Sequence, residues 1–281
     1  METIAIVGVG LIGGSFALAL RRAGFHGAIV GVSSDEAIEK ALTAGAIDAG
    51  ASLEDAVSRA DLVYLAQPIS RILEVIPRLQ PLMRPDALVT DAGSTKRAIV
   101  EAADQWIAPG QFLGGHPLAG KETRGVESAT AALFEGRDYV LTPVRKADIE
   151  SPAAMDFTSW LKKIGANTLV MKPSDHDRTL AFTSHLPQLA STALAALLSQ
   201  TDRASNSVFG PALVDSTRLA LSPYDIWKDI FKTNQMELEH ALDGYIAMLQ
   251  SIRANLQTDE MDGYFRDGAE FAGKIRRTRT I

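Results

Sequence analysis

The chain contains no cysteine, and this absence excludes several kinds of chemistry. With no thiol among 281 residues, the protein can form neither a disulfide, a thiolate nucleophile nor a cysteine-bound zinc site. Asp175, His176 and Asp177 are metal-ligand residue types in one run, but they open a predicted helix, where acidic residues are favoured by the helix dipole. We therefore predict no metal site.

Long apolar runs and a strong charge of one sign are also missing. The 28 Lys and Arg residues against 34 Asp and Glu leave a net charge of −6, without the basic patch that nucleic-acid binding requires. No apolar run is long enough to span a membrane, and no apolar leader precedes the first predicted strand. We expect a cytoplasmic protein without nucleic-acid or membrane partners. The remaining composition, 46% hydrophobic and 22% charged, is that of a globular protein.

The first thirty residues contain a glycine-rich turn between regular elements. A strand is predicted at 4–7, a helix at 16–22 and a second strand at 28–32, with the spacing G-x-G-x-x-G between the first two. Gly8 permits the tight turn, Gly10 lets the backbone approach a pyrophosphate, and Gly13 lets the helix pack on the strand. The free N–H groups of the helix N-terminus then face the phosphates. The sequence therefore predicts a dinucleotide site.

The predicted cofactor residues follow successive strands at one edge of the sheet. They are Gly8, Gly10, Leu11, Ile12 and Gly13 in the glycine turn, Ser33, Ser34 and Asp35 after the second strand, Gln67 and Pro68 after the next, and Asp91 after a further one. Ser33 stands where NAD enzymes often carry an acid for the ribose hydroxyls. Asp35 and Glu36 would nevertheless repel a 2′-phosphate, and no cation follows before Lys40. We predict NAD, with NADP as the alternative.

The elements divide the chain into an α/β half and an all-α half. Apolar runs at 62–66, 87–90, 111–114, 139–142 and 168–171 predict further strands, with helices at 70–83, 95–106 and 153–164 between them. Long helical patterns follow at 175–198, 224–256 and 259–274. We predict a Rossmann-type, doubly wound parallel sheet at residues 1–172 and a helical substrate and dimerisation domain at 173–281.

Four polar residues stand where they could handle a substrate, although each also has an ordinary structural explanation. Ser94 and His116 follow strands at the cofactor edge, but a helix N-cap and a turn histidine are the alternatives. His185 precedes Pro187, which should kink its helix, and it could simply be satisfied at that kink. Arg218 could clamp a carboxylate or form a surface ion pair.

Several motifs together resemble the prephenate and arogenate dehydrogenase family of tyrosine biosynthesis. They are GVGLIGGS at 8–15, DAGSTK at 91–96, GGHPLAGKE at 114–122, HD at 176–177, TSHLPQ at 183–188 and DSTR at 215–218, followed by Trp227. GGHPLAG and SHLPQ in this order are much more specific than the glycine motif. The resemblance covers most of the chain, and it is the reason for naming a substrate.

This resemblance implies an NAD-dependent oxidative decarboxylation of prephenate to 4-hydroxyphenylpyruvate, with arogenate as a second substrate. Hydride leaves C4 for the nicotinamide, and the ring carboxylate leaves as CO2. His116 would accept the proton of the C4 hydroxyl, which Ser94 orients. Arg218 would bind a carboxylate, and His185 would contact the side chain of the substrate.

The resemblance also implies residues around the mouth of the pocket. Glu122 would join Arg218 and Asp215 in an ionic network, with Ser184 beside the substrate, and the helical half would form a homodimer. Lys121 departs from the family pattern, where we expect Thr or Ser. It is either an additional anion contact or a loop lysine in solvent.

Two other functions fit the glycine turn alone. One is a reductase of the β-hydroxyacid or imine type, which would place a catalytic Lys or Asp early in its helical domain. The other is a catalytically silent dinucleotide-binding sensor, which would not need Ser94, His116, His185 and Arg218 together.

Overall fold

The first half of the chain forms one eight-stranded sheet. The computed structural model describes residues 1–121, 123–201 and 208–278. The strands are β1 (Thr3–Val7), β2 (Ala28–Val32), β3 (Ala49–Gly50), β4 (Leu62–Leu65), β5 (Leu88–Asp91), β6 (Phe112–Pro117), β7 (Asp138–Thr142) and β8 (Asn167–Val170). Their order across the sheet is β3-β2-β1-β4-β5-β6-β7-β8. The chain order reverses beside β1, as in a doubly wound Rossmann-type sheet.

Helices cover both faces of this sheet. They are α1 (Leu11–Arg22), α2 (Asp35–Thr43), α3 (Leu53–Arg59), α4 (Ile69–Leu79), α5 (Arg97–Trp106), α6 (Lys146–Glu150) and α7 (Pro152–Lys163). On one face Phe16 of α1 stacks on Tyr64 of β4, with ring centroids 4.1 Å apart. On the other face Ile72 and Ile76 of α4 are fully buried. Both faces of the central strands are therefore apolar, which is why they appear as continuous apolar runs in the sequence.

The sheet departs from the prediction in two places. β7 runs antiparallel to β6, with His116 opposite Val140, so the sheet is mixed and not wholly parallel. β3 was not predicted, because a two-residue Ala-Gly strand has no apolar pattern that could mark it. Both departures lie outside the central parallel strands, which carry the glycine turn and the residues that follow β4 and β5.

The second half of the chain is helical throughout its described residues. Its helices are α8 (Pro173–Leu180), α9 (Leu186–Ser199), α10 (Pro211–Thr217), α11 (Tyr224–Thr233), α12 (Gln235–Ala254) and α13 (Glu260–Thr278). None of the helices in the described ranges is long and apolar enough to cross a membrane.

Two long predicted helices are interrupted. The helix predicted at 175–198 contains a π-helical turn, Ala181–His185, directly before Pro187. The helix is therefore irregular close to Pro187, and the irregular turn carries His185. The prediction of a single helix at 224–256 was wrong. The helix is interrupted at Asn234, where φ is −124° and ψ is 28°. No glycine or proline marks this break in the sequence.

The helical half caps two helices of the sheet half. The Asp177 carboxylate accepts hydrogen bonds from the backbone N–H groups of Lys96 (2.7 Å) and Arg97 (2.9 Å) at the start of α5. The Asp229 carboxylate accepts one from the N–H of Ser70 (2.9 Å) at the start of α4. Neither helix has a side-chain cap at its own N-cap residue. The two halves are thus joined where the sheet presents its carboxyl edge.

Candidate active site at the edge of the sheet

The three glycines of the first turn are required for different reasons. Gly8 has a φ of +98°, and a Cβ there would lie 2.7 Å from the carbonyl oxygen of Ala66. A Cβ on Gly13 would collide with the carbonyl oxygen of Gly8. Gly10 is different, because a Cβ there would have no protein atom within 4 Å. The protein itself leaves this position open, and the opening fits the close approach of a phosphate to the backbone.

A cleft of about 690 Å³ lies beside the glycine turn. Leu11 and Ile12 line it together with Gln67, Pro68 and Ser94, so predicted cofactor residues from two loops meet there. The side-chain oxygen Oε1 of Gln67 is buried without a hydrogen-bond partner. The N-cap of α1 also has no side-chain hydrogen bond. The backbone N–H groups at the start of α1 are donors, and Oε1 of Gln67 is an acceptor. A bound dinucleotide would satisfy both.

The loop after β2 is exposed and carries no free cation. The Ser34 hydroxyl accepts a hydrogen bond from the N–H of Ala37 and so caps α2, while Ser33 and Asp35 are solvent-exposed. Lys40 lies 2.7 Å from both Glu36 and Glu127. These two carboxylates raise the pKa of Lys40 further above its ordinary value. The positive charge of the nearest lysine is therefore balanced by two carboxylates. This favours a cofactor with a free 2′-hydroxyl on its ribose over one with a 2′-phosphate.

Asp91 is the last residue of β5, and its side chain is engaged within the protein. Its side chain is fully buried and forms an ion pair with the equally buried Lys96. Its carboxylate also accepts hydrogen bonds from the N–H groups of Gly93 (2.8 Å) and Gly115 (3.1 Å). Lys96 in turn donates to the carbonyl oxygen of Gly115. The cofactor contact of Asp91 stays a prediction; within the protein its carboxylate holds the backbone beside His116 in place.

Ser94 and His116 come from neighbouring segments of the sheet, and their roles toward a substrate stay predictions. Ser94 follows β5 and His116 belongs to β6, which pairs with β5. Ser94 does not cap α5, which begins at Arg97 and is capped by Asp177; the N-cap alternative is therefore wrong. His116 is a strand residue with 8% of its surface exposed. Burial, reinforced by the charges of His176 and Lys96, lowers the pKa of His116 well below 6.5.

A second histidine, which was predicted only to open a helix, contacts the ring of His116. His116 Nδ1 lies 2.8 Å from His176 Nε2, and His176 Nδ1 lies 2.7 Å from Asp177 Oδ1. Both His176 and Asp177 are buried, and burial also lowers the pKa of His176. The HD pair among the family motifs was the only sequence signal for this arrangement, since His116 and His176 are sixty residues apart.

His185 is buried beside the break between α11 and α12. Its Nδ1 atom lies 3.2 Å from the side-chain nitrogen of Asn234, which also donates to the backbone oxygen of Asp177 at 2.8 Å. The ring packs edge-on against Trp227. Burial lowers the pKa of His185 to about 4. Because Asn234 donates to Nδ1, the neutral ring carries its proton on Nε2. Asn234 was not recognised in the sequence, because its role depends on the helix break.

The remaining predicted substrate residues are less enclosed within a single chain. Arg218 and Asp215 are exposed around the end of α10, and Ser184 is half-buried in the π-helical turn. Lys121 lines the cleft, and its ammonium donates to the carbonyl oxygen of Ser128 at 2.7 Å. Glu122 lies outside the described residues. The structure therefore does not place Arg218 next to His116 within one chain.

No group of three or more potential metal ligands is present in the described ranges, 1–121, 123–201 and 208–278. The polar groups near His116 are instead paired with one another, as the Asp91–Lys96 ion pair and the contact between His176 and Asp177 show.

Comparison with known proteins matches both halves of the chain to one family. The nucleotide-binding domain of prephenate dehydrogenase matches residues 16–170, and the prephenate dehydrogenase dimerization domain matches residues 172–268. Prephenate dehydrogenase of Bacillus subtilis is 34% identical over 276 residues, which cover 94% of this chain and 73% of that protein.

Two solved structures are similar over nearly their whole length. Prephenate dehydrogenase from A. aeolicus, in complex with hydroxyphenyl propionate and NAD+, is 32% identical with a TM-score of 0.86, covering 99% of this chain and 97% of that one. Synechocystis arogenate dehydrogenase is 29% identical with a TM-score of 0.83, covering 98% and 99%.

The glycine turn, the cleft beside it and the polar strand ends define a two-domain, dinucleotide-dependent oxidoreductase. Within that class, the chain belongs to the prephenate dehydrogenase family. This membership sets aside the reductase and the silent sensor, the two alternatives that the glycine turn alone left open.

Proposed function

We propose that this protein oxidises and decarboxylates prephenate with NAD, and that His116 is its proton acceptor. The observation that carries the proposal is a buried histidine with a lowered pKa, His116 of β6, the strand that pairs with the one Ser94 follows. In the reaction the C4 hydroxyl would give its proton to His116, while the hydrogen on carbon C4 would leave as a hydride to the nicotinamide. The bond between the ring and its carboxylate then breaks, CO2 leaves, and the electron pair of that bond makes the ring aromatic. The resulting phenolate oxygen takes back the proton from His116, which gives 4-hydroxyphenylpyruvate.

NAD supplies the hydride acceptor when it is bound. The open position at Gly10, the uncapped N-terminus of α1 and the buried oxygen of Gln67 are the groups that would hold it. The pairing of Lys40 with Glu36 and Glu127 favours NAD over NADP. A higher kcat/KM with NADP would contradict this preference.

The proposed role of His116 follows from its protonation state. Its lowered pKa keeps the ring neutral near pH 7, so a nitrogen lone pair is available as charge develops on the C4 oxygen. The Ser94 hydroxyl is half-buried at the neighbouring strand end and lines the cleft. It would orient the C4 hydroxyl toward the ring of His116.

The substrate side chain would lie near His185. With Asn234 bound at Nδ1, the Nε2–H group of His185 can donate to a keto or carboxylate oxygen. Lys121 lines the cleft and adds a cation that tolerates the keto acid and disfavours the ammonium of arogenate. We therefore propose prephenate as the better substrate and arogenate as the poorer one. Steady-state kinetics that favoured arogenate would reverse this ranking.

We further propose a homodimer formed by the helical half. Large apolar side chains remain exposed there in the single chain, among them Phe209, Leu221, Phe265 and Phe271. An exposed apolar surface of this kind marks an interface. Light scattering that showed a stable, active monomer would contradict the dimer.

The boundary near Pro173 and the cytoplasmic location stay predictions. The boundary is supported by the end of β8 at Val170 and by the helical character of all later described elements. Limited proteolysis that cut first within the sheet half, away from this junction, would contradict it.

The activity is tested by mixing the protein with prephenate and NAD and following the absorbance of NADH, with release of CO2 as a second product. Equal amounts of NADH and CO2 are expected. Reduction of NAD without CO2 would indicate a simple alcohol dehydrogenase. The absence of both products with prephenate and with arogenate would refute the proposal.

A further inference from the structure

The hydrogen bonds behind His116 form a chain that crosses between the two halves of the protein. It runs from His116 of β6 through His176 to Asp177, both of α8, and continues to the N-terminus of α5. Every side chain in it is buried. The proposed reaction uses only the Nε2 atom of His116. It therefore assigns no function to His176 or Asp177.

Proton positions along this chain follow from its donors and acceptors. Asp177 accepts hydrogen bonds from two backbone N–H groups, at Lys96 and Arg97, as expected of an ionised carboxylate. An ionised carboxylate has no proton to donate, so His176 must donate to it from Nδ1. The Nε2 atom of neutral His176 is then an acceptor, and His116 must donate to it from Nδ1. This leaves Nε2 of His116 without a proton.

We propose that His176 is a positioning residue for catalysis, which keeps the proton of His116 on Nδ1 so that Nε2 is free to accept the proton of the substrate. Asp177 orients His176 through its Nδ1–H group. The inference rests on the proposed function of His116, but the tautomer can be measured without any substrate.

The same hydrogen-bonded residues also stabilise the positive charge that forms on His116 when it accepts the proton. When Nε2 of His116 takes the substrate proton, the imidazolium that forms keeps its Nδ1–H donated to His176. The anion at Asp177 lies at the far end of the same hydrogen-bonded chain. Lys96 and His185 also face this cluster and oppose a positive charge on His116, while Asp91 is paired with Lys96. Asp177 is therefore the carboxylate linked to His116 through hydrogen bonds.

Two substitutions of similar size separate this function from simple packing. His176→Gln keeps an acceptor near the former Nε2 position, so His116 can still donate from Nδ1. His176→Asn retains a group near the former Nδ1 position that can bind Asp177, but it has no atom that reaches His116. His26→Asn, at an exposed turn, is the matched control.

We expect His176→Asn to lower kcat by about 10²–10⁴-fold, the range associated with loss of an orienting partner and the wrong histidine tautomer. The KM for prephenate and the Kd for NAD should change little. His176→Gln should recover at least a tenth of the parental kcat, and His26→Asn should equal the parent. Equal losses in the Asn and Gln variants, or a kcat within threefold of the parent in folded His176→Asn, would overturn the proposal.

Nitrogen NMR of the protein labelled at its five histidines provides a readout that needs no turnover. In the parent at pH 7, His116 should show a protonated Nδ1 and an unprotonated Nε2; the signal lost in His116→Asn identifies it. In His176→Asn the proton should move to Nε2. A parental His116 protonated on Nε2 would refute the proposal even if the enzyme is active. The expected tautomer in a protein that does not oxidise prephenate would instead refute the proposed function alone.

Discussion

At the scale of single residues, His116 is the proposed proton acceptor, and its replacement tests this role directly. His116→Asn keeps a hydrogen-bonding side chain but cannot accept a proton, so kcat should fall by about 10²–10⁴-fold. Binding of prephenate and NAD should change little, as measured by equilibrium titration. A folded variant whose kcat is within about threefold of the parent, well short of that range, would refute the assignment of His116 as the proton acceptor.

The pH dependence of the parent follows from the direction of the His116 pKa. The base acts when it is unprotonated, so kcat/KM should fall as the pH drops through the pKa of His116. Burial holds that pKa well below 6.5, and the acid limb should therefore lie at a lower pH than an exposed histidine would give. The measurement is a pH profile of kcat/KM. A limb centred above pH 6.5 would contradict this environment for His116.

Arg218 is predicted to bind a substrate carboxylate, and its replacement by alanine should raise KM strongly. A charge-assisted contact in a desolvated cleft costs about 2–5 kcal/mol when one partner is truncated. The matched control is Arg78→Ala, which removes an exposed ion pair with Glu54 and should leave KM unchanged. An unchanged KM in Arg218→Ala would return this residue to the surface ion-pair interpretation.

At the scale of elements, α4 depends on a carboxylate from the helical half. Asp229→Ala removes the acceptor of the Ser70 N–H group, and loss of an N-cap typically costs about 0.5–2 kcal/mol of the free energy of unfolding. Asp229→Asn keeps an oxygen that can accept and should lose less. Denaturant unfolding of the two variants checks this. Equal stability of Asp229→Ala and the parent would show that the contact contributes nothing.

The elements that the sequence predicted are those with local causes. β1, β4 and β5 are short apolar runs because both of their faces are buried, and the turn after β1 is marked by glycines that the backbone requires. The break at Asn234 has no such local mark. Its side-chain nitrogen makes tertiary contacts to Asp177 and His185, which no window of the sequence contains.

The site, like the fold, could be predicted from the sequence only where a local pattern determines it. Ser94 follows β5 and His116 lies in β6, so their placement on neighbouring strands could be inferred from topology. Asp91 ends β5, but its burial against Lys96 depends on a partner five residues away that is itself buried. The contact between His116 and His176 joins two distant segments, and its geometry exists only once the two halves pack together.

For the whole molecule, the buried histidines predict a loss of stability in acid. Burial places the pKa values of His116, His176 and His185 below 6.5, that of His185 at about 4. The unfolded chain therefore binds more protons than the native protein between about pH 6.5 and 4. Stability should be greatest above pH 6.5 and should fall through this window, by about 3 kcal/mol for His185 alone at 1.36 kcal/mol per pKa unit.

Urea unfolding at a series of pH values checks this prediction. His185→Asn should show a shallower fall in the free energy of unfolding between pH 6.5 and 4, because it removes one of the three groups. His26→Asn, which replaces an exposed histidine, should follow the parent curve. A free energy of unfolding that stays constant across this window would show that the buried rings take up protons freely in the native protein.

The capping of α4 and α5 by Asp229 and Asp177 also has a consequence for synthesis of the protein. The ribosome makes the whole sheet and its seven helices before it reaches either carboxylate. A nascent chain of this length can collapse around its apolar strands, since N-terminal domains generally fold first. Its α5 N-terminus nevertheless remains open to water until Asp177 emerges, and its α4 N-terminus until Asp229 emerges. The edge of the sheet where the cofactor is to bind is thus completed late, by residues of the helical half.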